Sequence, residues 1–174
     1  KAFFIPVQDI KGEILHINSY NTIKNHKSIS HKANASFKRG KHLLLKGPNG
    51  IGKSTLLESI ATGTAQGASI GKGVKVGYYR QDFSTLNFED TVYQSLETAM
   101  AKPDEEKLRA TSAGFLITSD IMHTKIGHLS EGQKGLVAFA RLVLERPGLL
   151  ILDEPTNHIN FRHLPVIAKA LSEY

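Results

Sequence analysis

Cysteine is absent from the 174 residues, which excludes disulfides and thiolate metal sites and fits a reducing, cytoplasmic setting. No apolar run approaches the roughly 20 residues needed to cross a bilayer, so the chain is expected not to be embedded in a membrane. A basic-then-apolar leader is also missing, and the first residue is Lys1 rather than methionine. The chain therefore reads as an excised piece of a longer protein, with partners in sequence left out. Acidic residues are in deficit, 16 against 22 Lys and Arg, for a net charge of +6. That surplus suits a polyanion such as RNA and equally suits a solvated basic face. What is present is ordinary for a folded domain: 40% hydrophobic and 22% charged residues. The length suffices for one compact domain with a small subdomain but not for two.

The most informative stretch is Gly47-Pro48-Asn49-Gly50-Ile51-Gly52-Lys53-Ser54-Thr55, which fits G-x-x-x-x-G-K-[ST]. It follows the apolar run Leu43-Leu44-Leu45 and precedes Leu56-Leu57-Glu58-Ser59-Ile60, the strand-to-helix setting that a phosphate loop requires. Gly50 and Gly52 let the backbone wrap an anion, so that N–H groups and the positive helix end face the phosphates. Lys53 adds a full charge, Ser54 a hydroxyl for Mg2+ and Thr55 a further donor. The stretch predicts a bound nucleoside triphosphate.

Around that loop the pattern predicts an α/β domain. Residues 1–11, with Pro6, read as a linker, and the domain proper, residues 12–174, opens on a strand from Glu13 to Ile17. A polar stretch from Asn18 to His31 leads to a second extended segment through Phe37 and a turn at Lys38-Arg39-Gly40. Val74, Val76 and Tyr78 alternate as in a half-buried strand ending at Arg80-Gln81. Residues 84–128 read as a helical insertion, with Asp90 as the N-cap of a helix bearing Val92, Leu96 and Ala99, and Asp104-Glu105-Glu106 as the acidic first turn of another. A long helix after Ser130, with Val137, Ala140 and Leu144 on one face, stops at Pro147-Gly148. Leu149-Leu150-Ile151-Leu152 then reads as a strand buried on both faces of a parallel sheet.

That strand ends in Asp153-Glu154, at the sheet edge where ligands of open α/β folds bind. Asp153 would reach the Mg2+ shell, and Glu154 would polarise the water that attacks the terminal phosphate. Leu129-Ser130-Glu131-Gly132-Gln133 opens the long helix with a small polar residue and a glycine, a second anion-binding helix start.

Taken in order, residues 47–55, Gln81 as a Q-loop, Leu129 to Gln133 as a signature and Leu149 to Pro155 resemble the motif set of an ATP-binding-cassette ATPase. The resemblance spans nearly the whole chain and implies a phosphate-loop fold of that type: a mixed sheet core, an antiparallel β subdomain and an α-helical subdomain. Asp153-Glu154-Pro155-Thr156-Asn157-His158 further resembles the cytoplasmic ABC-F branch, whose members carry two cassettes and mostly act on the ribosome. The entering Phe3-Phe4-Ile5-Pro6 is similar to the start of a second cassette. The resemblance implies that two cassettes, in one polypeptide or in a homodimer, close face to face. Each ATP then sits on the phosphate loop of one and the signature of the other, so Ser130 and Gly132 touch a nucleotide bound mainly elsewhere. Gln81 joins Ser54 and Asp153 around Mg2+. The isolated chain is expected to bind ATP at best, with little hydrolysis. Competing readings are the nucleotide-binding domain of a membrane transporter, for which Gln133 speaks, and a degenerate cassette that clamps ATP without turning it over.

The sequence departs from the family pattern in several places. Glu131 stands where glycine is usual, and Asn160 where the D-loop has aspartate. Counted back from Arg39-Gly40, Lys24 beside Ile23 occupies the place of the adenine-stacking aromatic, and Tyr20 lies four positions too early. The base is then held by an aliphatic stem or weaker contact, or by Tyr20 through a shifted loop. The resemblance implies that the switch histidine would lie beyond Tyr174, so that His158 and His163 are not expected to be that residue and the domain is expected to be C-terminally incomplete. The inter-cassette arm that the resemblance implies would precede Lys1.

Overall fold

The computed structural model describes residues 8–41, 43–155, 157 and 164–172. Strands β1 (Glu13–Lys24) and β2 (Lys27–Lys38) form a long antiparallel hairpin, and β3 (Ala68–Ile70) pairs antiparallel with the other edge of β1. The polar stretch 18–31 is therefore hairpin rather than connector. Its turn is Asn25-His26, both residues left-handed (φ 51° and 60°), which is the two-residue geometry whose twist matches that of the flanking strands. Polar composition masked the strand, because neither face of this outer half is buried deeply enough to impose an alternating pattern.

A second sheet pairs β4 (Val76–Tyr79) parallel with β5 (Leu149–Leu152) in the register Val76 to Leu149 through Tyr79 to Leu152. Both of its faces are covered. Val76, Tyr78, Leu149 and Ile151 join a cluster with Leu56, Leu57 and Ile60 of α1 (Lys53–Ala61), and with Leu15 and Ile17 of β1. Gly77, Tyr79, Leu150 and Leu152 look the other way, toward α5 (Glu131–Glu145). The alternation at 74–78 thus marks two packed faces, not one wet and one dry, and Tyr79 is among the most deeply buried side chains. Gly77 is required by that packing, since a Cβ there would lie 2.9 Å from both Leu142 Cδ2 and Pro147 Cγ.

Between the strands lie α2 (Val92–Thr98), α3 (Glu105–Gly114), α4 (Ser119–Met122) and a 3-10 turn (Ile126–His128); α6 (Leu164–Ser172) comes last. The cap of α2 is Thr91, not Asp90: the Thr91 hydroxyl accepts from Gln94 N–H, while the Gln94 side chain accepts from the Thr91 N–H. Asp90 instead accepts from Asn87 Nδ2 at 2.9 Å. Asp104 caps α3 as its acidic start predicts. Helix α5 is buried from Gly135 to Ala140 and again from Leu142 to Leu144, well beyond the single face of Val137, Ala140 and Leu144. Arg141 ties it inward: its guanidinium donates to the Ser95 carbonyl, to Ser95 Oγ (3.0 Å) and to Thr98 Oγ1 (3.3 Å), joining α5 to α2.

The expected strand at Leu43-Leu44-Leu45 does not form. The segment has no ladder partner among the described residues, and Leu43 and Leu44 are 54% and 74% exposed. An apolar triplet becomes strand only where a neighbouring strand receives its N–H and C=O groups.

Candidate nucleotide site

The loop from Gly47 to Gly52 turns through left-handed Gly50 (φ 79°) and Gly52 (φ 101°), conformations that cost glycine little, and delivers the chain into α1. Gly52 is the N-cap and no side chain caps the helix, so the first N–H groups of α1 are left for an external acceptor. Lys53 folds back over the loop, its ammonium donating to the carbonyls of Gly47 (2.8 Å) and Pro48 (3.0 Å). Ser54 and Thr55 are exposed. Uncapped N–H groups, a cation and two hydroxyls around one bend fit a polyphosphate.

The tip of the hairpin rests against this bend. Ile23 N–H donates to the Ile51 carbonyl (2.9 Å), and Ile23 Cγ1 would touch a Cβ at Gly52 at 3.5 Å. Tyr20 does not make that contact; its ring stacks on His31 with centroids 5.2 Å apart. Of the residues weighed for the nucleotide base, Ile23 is thus the one seated on the loop, with Lys24 exposed beside it.

Gln81 and the carboxylates Asp153 and Glu154 leave the same end of neighbouring parallel strands, because Tyr79 and Leu152 are in register and Asp153 N–H donates to the Tyr79 carbonyl (3.0 Å). Asp153 is 8% exposed, whereas Gln81 and Glu154 are exposed. Burial and then the Asp153 charge raise the Tyr78 phenol above its ordinary range, so that phenol stays neutral beside the carboxylate. Glu154 adopts a left-handed backbone (φ 46°) and is clasped by Asn157, whose N–H donates to the Glu154 carbonyl (3.2 Å) and whose side-chain amide donates to Glu154 Oε2. A strained carboxylate held by a second residue is characteristic of functional sites.

Two contacts here are invisible to sequence spacing. Arg80, just before Gln81, bonds Glu58 of α1 at 2.7 Å and Asp82 at 3.2 Å, tying the phosphate-loop helix to the end of β4. The Glu58 bond raises the Arg80 guanidinium further, and the Ser84 N–H bond, ahead of Arg80, holds the Asp82 carboxyl below its usual range. Asn157 is the other, within a motif already singled out but with no role assigned.

At the signature, Ser130 caps α5. Its hydroxyl accepts from Gln133 N–H (3.2 Å), and the Gln133 side chain accepts from Ser130 N–H (2.9 Å). Gln133 is thereby explained by the cap, since glutamine and glutamate serve equally there. Glu131 is exposed in the first turn, where the helix dipole favours an acid. Ser130→Ala is expected to lower stability by about 1 kcal/mol, a fall of roughly 2–4 °C in Tm by thermal unfolding. Helices α1 and α5 pack on opposite faces of the β4–β5 sheet, so the phosphate loop is built on one face and Ser130 and Gly132 on the other. Phe3, Phe4, Ile5, Pro6, Thr156, His158, Asn160, His163 and Tyr174 lie outside the described residues.

The family model described as ABC transporter matches residues 30–157, from the hairpin to the carboxylate turn. The chain belongs to this family. Among curated relatives, the cassette is 38% identical to the ATP-binding protein YdiF of Bacillus subtilis over 139 residues, covering 78% of this chain and 22% of YdiF. It is 34% identical to the ATP-binding protein YheS of Escherichia coli, with the same coverage of both. A third relative is the tylosin resistance ATP-binding protein TlrC of Streptomyces fradiae, 38% identical over 76% of this chain and 24% of TlrC. The chain thus spans about a fifth of the length of these relatives. Its fold matches a bacterial Atm1-family ABC exporter with ATP bound (TM-score 0.76, 19% identity, 96% of this chain and 34% of that one). It also matches a dimeric ATP-binding cassette in a post-hydrolysis state with ADP and Pi (TM-score 0.75, 21% identity, 92% and 82%).

Proposed function

We propose that this cassette binds Mg-ATP in one half of a composite hydrolysis site, and that the intact protein is a cytoplasmic ABC-F protein whose paired cassettes close on ATP to engage the ribosome. In this reading residues 1–11 are linker and 84–128 the helical subdomain. Lys53 and the backbone N–H groups of the loop 47–55, all but that of Pro48, which has none, hold the phosphates. Ser54, Gln81 and Asp153 supply one hydroxyl, one amide and one carboxylate, a hard oxygen set that suits Mg2+ shared with phosphate. The metal, when bound, offsets charge on the outer phosphates. Glu154 takes the proton of the attacking water.

One observation carries the composite arrangement: the two anion-binding helix starts stand on opposite faces of one sheet. Each is complete only when a second cassette supplies the other. Among the described residues no helix is long and apolar enough to cross a membrane. The motif ending in Thr156-Asn157-His158 and the positive charge favour the ribosome over a transporter, and Gln133, satisfied within its cap, no longer argues for the latter.

Intact protein carrying Glu154→Gln is expected to pellet with ribosomes in ATP and not in its absence. Pelleting that ignores ATP, or no pelleting at all, would overturn the ribosome reading while leaving ATP binding to be measured by titration.

A further inference from the structure

Between Glu13 and Glu58 lie eight of the 22 Lys and Arg residues and none of the 16 Asp and Glu; elsewhere acids outnumber bases. The whole positive excess of the chain sits on the β1–β2 hairpin and the phosphate-loop segment. Of those eight cations, only Arg39 has a carboxylate within ion-pairing distance among the described residues, Asp9 at 3.2 Å. A single triphosphate on Lys53 does not account for so much unneutralised charge spread along a hairpin.

The register shows what accompanies it. Tyr20 lies opposite His31, Thr22 opposite Ile29 and Lys24 opposite Lys27, three alternate rungs that share one face of the hairpin. The two rings are stacked, 20° from parallel, and Thr22 Oγ1 hydrogen-bonds His31 Nε2 at 2.8 Å, which fixes the imidazole. Tyr20 is 37% and Ile29 40% exposed, and both lysines are exposed. Four residues of strand separate the aromatic rung from the lysine rung, roughly 13 Å. A fixed ring pair beside exposed cations on an open sheet is the physical combination that takes a base by stacking and the backbone by charge.

We propose that this face binds single-stranded RNA, a base continuing the Tyr20–His31 stack and phosphates lying on Lys24 and Lys27. The proposal deepens the ribosome reading and rests on it for its biological partner. An anionic lipid surface would use the lysines but has no use for a fixed stack of rings, and the ATP base has its own neighbour in Ile23.

The test is binding of a labelled oligo(U) RNA to the full protein at several salt concentrations, with ATP titration on each sample. Tyr20→Ala is expected to weaken oligo(U) roughly 5- to 150-fold and Tyr20→Phe to restore it. Lys24→Gln with Lys27→Gln should flatten the slope of log affinity against log salt by about 1.4, ~0.7 for each phosphate lost. ATP affinity should stay within about twofold in every variant, which also certifies that each has folded. Equal oligo(U) binding by all variants overturns the proposal, as does absence of binding by the unmodified protein. So does a parallel loss of ATP affinity in Tyr20→Ala, or vesicles of anionic phospholipid bound as tightly as RNA and insensitive to Tyr20. Failure of the unmodified protein to pellet with ribosomes, alongside the expected oligo(U) results, sinks the ribosome reading and not this one.

Discussion

Glu154→Gln in the intact protein is expected to cut ATP turnover by about 10²- to 10⁴-fold, the worth of a positioned general base, and to leave ATP affinity within about twofold. The substitution keeps the size and planarity of the side chain. Asn157 can donate to an amide oxygen as it does to Glu154 Oε2, so the left-handed turn at φ 46° survives. What is lost is the capacity to accept a proton. Glu154 is exposed and at the outer end of β5, away from the packed faces of the sheet, so the effect is chemical and not a loss of fold. Lys53→Ala makes the complementary cut. In the proposed site it would remove charge-assisted bonds to phosphate worth roughly 1.5–3 kcal/mol each, an expected tenfold loss or more in ATP affinity. Steady-state hydrolysis together with fluorescent-nucleotide titration separates the two. Turnover by Glu154→Gln at the level of the unmodified protein would remove Glu154 from the chemistry and favour a cassette that clamps ATP without consuming it. The chain on its own should bind nucleotide and hydrolyse little, because its signature helix start faces away from its own phosphate loop.

How far the sequence carried this site depends on which forces are local. The phosphate loop is legible because glycines at fixed offsets, a lysine and two hydroxyls state the chemistry within nine residues. β5 is legible because a strand covered on both faces must be apolar throughout, and α5 because its cap and its stop, at Ser130 and Pro147, are short-range signals. The hairpin was not: its outer half is exposed on both faces, so Tyr20, Ile23 and Ile29 mark no buried side, and the cue was the pair Asn25-His26, whose left-handed turn joins the two strands. Leu43-Leu44-Leu45 misled in the opposite sense, since three apolar residues carry no information about whether a partner strand exists. Asp90 and Thr91 are both good caps, and only the reciprocal Gln94 three residues after Thr91 decides between them. The Arg80–Glu58 tie joins residues 22 positions apart across a helix and a strand, and no spacing rule announces such a pair.

Phe139→Ala is expected to destabilise the domain by about 3–5 kcal/mol, a large part of the roughly 5–15 kcal/mol that holds a domain folded. The ring is fully buried in α5 and is the hub of an aromatic chain, with Tyr79 of β4 at 4.7 Å between centroids and Phe115 at 6.4 Å. Its neighbours cannot easily move in to fill the space. Tyr79 is fixed in the β4–β5 ladder, Phe83 meets it edge-on at 6.1 Å, and the buried Tyr79 hydroxyl has no hydrogen-bond partner among the described residues. Burial without a partner also pushes that phenol up to about 12, so it stays protonated and adds no charge when the cavity opens. Phe139→Leu retains apolar bulk and should lose roughly half as much. Because β4 and β5 carry the cluster around Phe139 on one face and the cluster around α1 on the other, both should unfold in one transition. Urea unfolding followed by far-UV circular dichroism and by tyrosine fluorescence should give coincident curves shifted to lower midpoint. A shift worth less than about 1 kcal/mol would mean the ring sits in a site that collapses freely, and separated curves would mean the signature helix and the phosphate-loop helix rest on independent cores.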